Sequence, residues 1–219
     1  MTATVSMKDY WPLFTHGGKI TYYYTGIKPE TPHLYAEIFY DAEKKAMCYK
    51  EYDVAKDGSY SWRDSWFYEY REGFGIAEYR DDYPSPGKWW GDTKVVVMDP
   101  PIGWGDVQQI GSVYENEPAF VFDQCIPPSV AYGDQRVEFE RKYDEYQNAR
   151  AFWIDVVRFR YYQAWNGGNA SGAIYWFAPA RGPVTQQFLA RLPSGEVVYS
   201  DIYSAAVSLV NWPKGEEVA

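Results

Sequence analysis

Two histidines and two cysteines are all that this 219-residue chain offers to imidazole or thiol chemistry: His16, His33, Cys48 and Cys125. His16 stands beside Gly17-Gly18 and His33 follows Pro32, so both fall in turn sequences, and neither has the ligand spacing of a zinc site. One disulfide and two free thiols both remain open, because spacing alone does not pair two cysteines. Positive charge is also scarce: 21 Lys and Arg stand against 30 Asp and Glu, a net charge of −9 and a pI of about 4.8. With no Lys/Arg cluster there is no footprint for a phosphate backbone, so nucleic acid is excluded as a partner. The same balance disfavours anionic membrane surfaces.

Long apolar runs are missing. None nears the roughly 20 residues of a membrane helix, so no membrane span is expected. The opening MTATVSMKDYWPLF has no basic n-region and no apolar h-region, hence no signal peptide as given. Virion, cytoplasmic and extracellular locations, the last with a leader removed, stay open. Gly-x-Ser-x-Gly and Gly-x-x-x-x-Gly-Lys are absent as well, so neither a serine-hydrolase elbow nor a phosphate cradle is expected, and no cofactor is implied.

What the chain has in abundance is aromatic residues: 22 Tyr, 10 Trp and 11 Phe, 20 % of the total. Such residues pack broadly on pleated faces, and their apolar runs here alternate with period two between Gly, Pro, Asn and Asp turns. The stretch 151–191 shows the pattern most fully, two aromatic strands around NGGNASG and a third after Gly182-Pro183. Segments 34–41 and 46–54 read as a hairpin across AEKK, and Asp57-Gly58 turns the chain into 59–73. There Trp62, Trp66, Tyr68 and Tyr70 share one parity and form the expected aromatic face. Strands are also expected at 106–114 and 119–123. Over 136–150, Val137, Phe139, Arg141 and Tyr143 alternate with charged residues, which favours a strand over a rival helix. The expectation is a single all-β domain over 1–219, an antiparallel barrel or sandwich of about ten to twelve strands with little helix. Residues 214–219 form a polar tail that frays.

DYWPLFTHGGKITYYYTG near the start and AIYWFAPARGPVTQQFL near the end together resemble secreted bacterial lipoprotein-like β domains. The resemblance rests on Tyr10, Pro12, Leu13, Gly17 and Tyr22, then Tyr175, Trp176, Ala178, Pro179, Gly182 and Val184. It covers about a fifth of the chain and implies a β fold with a structural or unassigned role and no catalytic residues to carry over. This chain, as given, lacks the leader and lipobox cysteine of that group.

Carboxylates are plentiful. Glu69 and Glu78 flank the 73–75 turn and could oppose one another across a hairpin, as a glycosidase pair would. Asp81-Asp82 and Asp99 have no EF-hand-like series around them. The more suggestive pattern is an echo: KWWGD at 88–92 and GWGDV at 103–107 both place Trp-Gly-Asp after a Gly or Pro loop. A tryptophan face can stack on a sugar while Asp and Asn bond its hydroxyls. Trp89, Trp90, Asp92, Trp104 and Asp106 form the candidate ligand-binding set, extended by Trp165, Asn166 and Asn169 of the long loop. Asn169-Ala170-Ser171 also matches a glycosylation acceptor. The first expectation is therefore a non-enzymatic domain binding a glycan or similar neutral polar ligand. A structural or assembly protein, whose aromatics fill the core and a subunit interface, is the second reading, with a protein partner or a homo-oligomer in view. A carbohydrate-active enzyme is the third.

Overall fold

The computed structural model describes residues 4–13, 18–26, 33–82, 95–106, 108–117, 120–123, 126–165, 170–192 and 194–210. Among these there is one 3-10 turn, Met7–Asp9, and otherwise only strands. In chain order they are β1 (Thr4–Val5), β2 (Lys19–Gly26), β3 (His33–Asp41), β4 (Ala46–Val54), β5 (Tyr60–Arg71) and β6 (Gly75–Asp82). After them come β7 (Val95–Gly103), β8 (Gln108–Gln109), β9 (Val113–Asn116), β10 (Phe120–Asp123) and β11 (Ile126–Gln147). The last five are β12 (Phe152–Trp165), β13 (Ala170–Ala178), β14 (Gly182–Arg191), β15 (Val197–Tyr199) and β16 (Tyr203–Val210).

Twelve strands make a nearly closed antiparallel barrel in the order β2-β3-β4-β5-β6-β7-β10-β11-β12-β13-β14-β16 and back to β2. Spatial order follows chain order, which is what short turns between antiparallel neighbours produce. Two joins are brief: β14 meets β16 through Thr185↔Ser204 and Gln186↔Tyr203, and β10 meets β11 mainly around Val121↔Val130. β15 adds to β14, and β9 lies along β11 at Gln135–Glu138.

Because directions alternate, all connections fall at two ends. The lower end carries the β3–β4, β5–β6 and β13–β14 turns, and the upper end the β2–β3, β4–β5, β6–β7 and β12–β13 connections. An eight-stranded barrel is just filled by its own side chains, and twelve strands enclose more. Here large aromatics fill the space. Tyr22, Tyr24, Phe139, Phe159 and Phe177 are fully buried. The chain's N-terminal segment also stops the lower end. Asp9 and Tyr10 accept backbone bonds from Ala180 and Gly182, and Trp11 lies between Tyr68 (4.7 Å between ring centroids) and Phe177 (5.3 Å). Gly182 is required there: its φ is +69°, and a Cβ would stand 2.7 Å from the Tyr22 hydroxyl. That hydroxyl donates to the Arg181 carbonyl, and Tyr24 donates to Pro183 O at 2.5 Å.

Segment 136–147 is strand, with Val137 and Phe139 facing inward against Tyr161 and Phe159. The expected aromatic face of β5 is corrected at one position. Glu51 pairs with Asp64 and Tyr52 with Trp62, so Arg63 is an extra bulge residue and parity reverses. Trp66 stays on the inward register with Tyr49, whereas Trp62 turns outward beside Tyr52, beneath the Lys50 ammonium.

A second irregularity, between Phe139 and Arg141, with Asp155 at φ 56°, lets the β11–β12 hairpin bend against the outer wall. Its tip is fastened by Asn148, whose Nδ2 donates to Val184 O (2.9 Å) and Thr185 Oγ1 (3.2 Å) while its Oδ1 accepts from Arg150 and Ala151 N–H. Beneath it Val156, Ile174, Trp176 and Val184 form a second apolar cluster, with Tyr146 and Trp153 packed against it. Cys48 is a buried free thiol on the outer side of β4, in a small cluster with Phe67; Cys125 lies outside the described residues.

Candidate functional site: the polar interior of the barrel

Strand parity sends carboxylates into the barrel. On β4, Met47, Tyr49 and Glu51 share a face, and Glu51 sits opposite Ala36 on one side and Asp64 on the other. On β6, Ile76 and Glu78 point inward, and the extra residue Tyr79, opposite Phe67 and Tyr68, brings Asp81 onto the same side, opposite Trp66. Across the barrel β12, β13 and β14 contribute Tyr161, Tyr175 and Gln186, and β11 contributes Gln135 in line with Val137 and Phe139.

Gln135 apart, these groups form one neighbourhood. Glu51 is 2 % exposed; its Oε1 accepts from Tyr49 OH at 3.2 Å, and Tyr49 OH lies 3.4 Å from Tyr24 OH. Its Oε2 makes no hydrogen bond, and Arg63 Nε stands 3.9 Å away. Asp64 feels both Glu51 and Glu78, and Tyr175 faces the same two carboxylates. Tyr161 faces Glu78 and Asp81, and its ring stacks on Trp104 at 5.7 Å. Asp64 and Glu78 lie deep among barrel atoms and yet keep partial exposure, as side chains lining an interior space do.

Burial sets the protonation. It pushes Asp64 up to about 8, reinforced by the Glu51 charge, and Glu78 up to about 7 against the opposing hydrogen bond with Asp81. Glu51 is raised too, since desolvation outweighs Arg63 and the Tyr49 hydroxyl. Tyr161 and Tyr175 are raised well above the usual phenol range, again chiefly by burial.

Two inward amides are left without protein partners. Gln135 is 1 % exposed, and neither its nitrogen nor its oxygen has a protein hydrogen-bond partner. Gln186, fully buried opposite Tyr175, faces the Glu51 carboxylate, but neither atom of its amide completes a bond of good geometry. Buried polar groups are otherwise satisfied in folded proteins, so such a set marks an interior that water or a ligand must complete. Among the described residues no three His, Cys, Asp or Glu side chains are grouped to hold a metal ion.

The sequence-predicted ligand set divides. Trp104 is 6 % exposed and lies inside the barrel, in ring contact with Trp11, Phe159, Tyr161, Tyr175 and Phe177. Asp106 is at the lower end, where its Oδ2 accepts from Gly73 N. Trp165 ends β12, opposite Tyr132. Trp89, Trp90, Asp92, Asn166 and Asn169 lie outside the described residues. The structure does not converge the pair Glu69 and Glu78. Tyr68 pairs with Glu78 on the inner side, and its neighbour Glu69 faces outward, bonded to Arg71 at 2.5 Å. His33 is taken by Tyr23, whose hydroxyl is 2.9 Å from Nδ1. Sequence reasoning passed over Glu51 and read Glu78 only as a partner of Glu69, although a legible signal existed: each is a charge at the parity of its strand's apolar residues. Asp64 carried the same signal, since it shares the parity of Trp66 and Tyr68 and lies beyond the Arg63 bulge.

Comparison of the chain with family models, curated proteins and solved structures yields no match.

Proposed function

We propose that the chain is a non-enzymatic structural or assembly module, a stiff barrel whose aromatics serve as core and whose outer face meets another subunit. The observation that supports this most is Trp104, enclosed by five other aromatic rings. The outer surface suits a protein partner: Phe152 and Ile154 on the bent hairpin are 57 % and 65 % exposed, next to a groove lined by Ala178, Pro179 and Arg181. Elsewhere that surface carries ion pairs such as Lys19–Glu37 and Arg160–Glu140, both at 2.7 Å. Lysine and arginine are costly on a lipid-facing barrel wall, so this outer surface fits water and protein better. In this reading the partner is a second copy of the chain, joined through the hairpin. Sedimentation velocity should show a concentration-dependent dimer that the double substitution F152S/I154S weakens. A monomer at every concentration would count against it.

A second reading, a ligand-binding barrel, draws support from the unpaired amide of Gln135 and the incompletely bonded Glu51 carboxylate.

A further inference from the structure

We propose that the interior of the barrel above the Trp11–Trp104 plug binds a small organic ammonium ion, its charge set among the carboxylates of Glu51, Asp64 and Glu78 and its apolar body laid against Tyr161, Tyr175 and Trp66. This rests on the second reading above and is independent of assembly, because the site faces inward and the hairpin outward.

Charge comes first. Glu51, Asp64, Glu78 and Asp81 share the interior, and the cation set against Glu51 and Asp64 is Arg63. Arg63 is also divided, with Nη1 3.6 Å from Asp53 and its guanidinium 5.6 Å from the Phe188 ring centroid. A desolvated carboxylate group of this size keeps protons unless another positive charge is brought to it. Free oxygens and amides come second. Glu51 Oε2 makes no hydrogen bond, and the buried amide of Gln186, which faces the Glu51 carboxylate, completes none either.

The walls select the kind of cation. A metal ion needs several oxygen ligands on one point, and the described acidic residues are not so grouped. Aromatic rings attract an ammonium through their faces and cover its hydrocarbon part. Tyr49 and Trp66 are 5.5 Å apart, and Tyr175 and Trp104 5.8 Å, so the carboxylates sit inside an aromatic enclosure. A neutral polyol would stack on the same rings but leave the carboxylates uncompensated.

The test uses the whole chain titrated with benzylammonium, with tetramethylammonium and glucose for comparison, read by tryptophan fluorescence and calorimetry. Benzylammonium should saturate and glucose should not. Glu78→Gln and Asp64→Asn should each weaken binding by about tenfold or more, the loss of a charge-assisted contact. Binding should also release protons near neutral pH, seen as a dependence of the apparent heat on buffer ionisation enthalpy, because a bound cation lowers the affinity of these carboxyls for protons. That readout needs no variant, so it decides the matter if either substitution unfolds the protein. Absence of binding by both ammonium ions overturns the proposal. So does glucose binding as tightly as benzylammonium, and so does binding without proton release.

Discussion

The two ends of the barrel interior solve the same problem in opposite ways. At the lower end Trp11, Tyr68, Trp104 and Phe177 interlock, and the chain's own N-terminal segment supplies the stopper. Above it the wall turns carboxylates and amides inward, and atoms of Glu51, Gln135 and Gln186 go unbonded, whereas the unbonded atoms of the plug are the indole N–H of Trp11 and the Tyr68 hydroxyl, on rings packed in the core. A wide barrel can be filled by its own rings or lined with polar groups, and this chain does both. In the reading proposed above, stability belongs mainly to the aromatic plug, and binding and proton exchange to the polar part.

The contrast breaks most visibly at Trp104. Trp104→Ala should lower unfolding free energy by about 3–5 kcal/mol, the range for a large aromatic removed from a core, measured by urea denaturation. A loss within experimental scatter would mean that the ring is not a core element. Next in size is Asn148→Ala, which unties the bent hairpin from Val184 and Thr185 and leaves buried acceptors unpaired. A loss of about 1–3 kcal/mol is expected in the same assay, with faster amide exchange at the β11–β12 tip. The contact between Trp11 and Trp104, 6.3 Å between centroids and edge-on, sharpens the picture further. A double-mutant cycle should show coupling of about 0.5–1.5 kcal/mol, whereas additivity would place the plug outside the core.

Much of this architecture was legible in the chain. Alternation with turn residues marks β3 and β4 nearly to the residue, and Asp57-Gly58 marks the turn into β5, where Gly58 takes φ 82°. The strand at 136–147 could be read from the same alternation. Bulges could not. One extra residue at Arg63 reverses the face of Trp62 relative to Trp66, and no local feature of SYSWRDSW announces it. The candidate site was legible only in part, for a related reason. Trp104 invites a ligand reading because it lies in a Gly-rich segment, yet glycines there allow close approach: Gly75 at φ +71° stands against the Gly105 carbonyl and lets β6 pack tightly beside it. Whether a tryptophan beside glycines faces solvent or core depends on partners far away in sequence, here Phe159, Tyr161 and Tyr175. Glu51 and Asp64 were visible as charges on apolar parities of neighbouring strands, and Gln186 was not, since only barrel closure brings it to them.

The division of the interior is tested most directly by the pH dependence of one substitution, Asp64→Asn. In the folded protein Asp64 holds its proton up to about 8, against 3.8 ordinarily. The folded state therefore binds more protons than the unfolded state between those limits, and stability is lost as pH rises through that window. An asparagine has no proton to lose, so Asp64→Asn should match the parent near pH 4 and become progressively the more stable towards pH 8. Discounting for the partial exposure of Asp64, the gain should be on the order of 1 kcal/mol. Paired thermal melts of the two proteins across this range read it out. A difference that grows with pH is the result expected of a desolvated carboxyl inside the barrel, where the Ser65 N–H (2.7 Å) and Arg63 only partly offset burial. A constant difference, or a variant that weakens relative to the parent as pH rises, would mean that Asp64 is an ionised, well-solvated or well-paired group and would contradict the account.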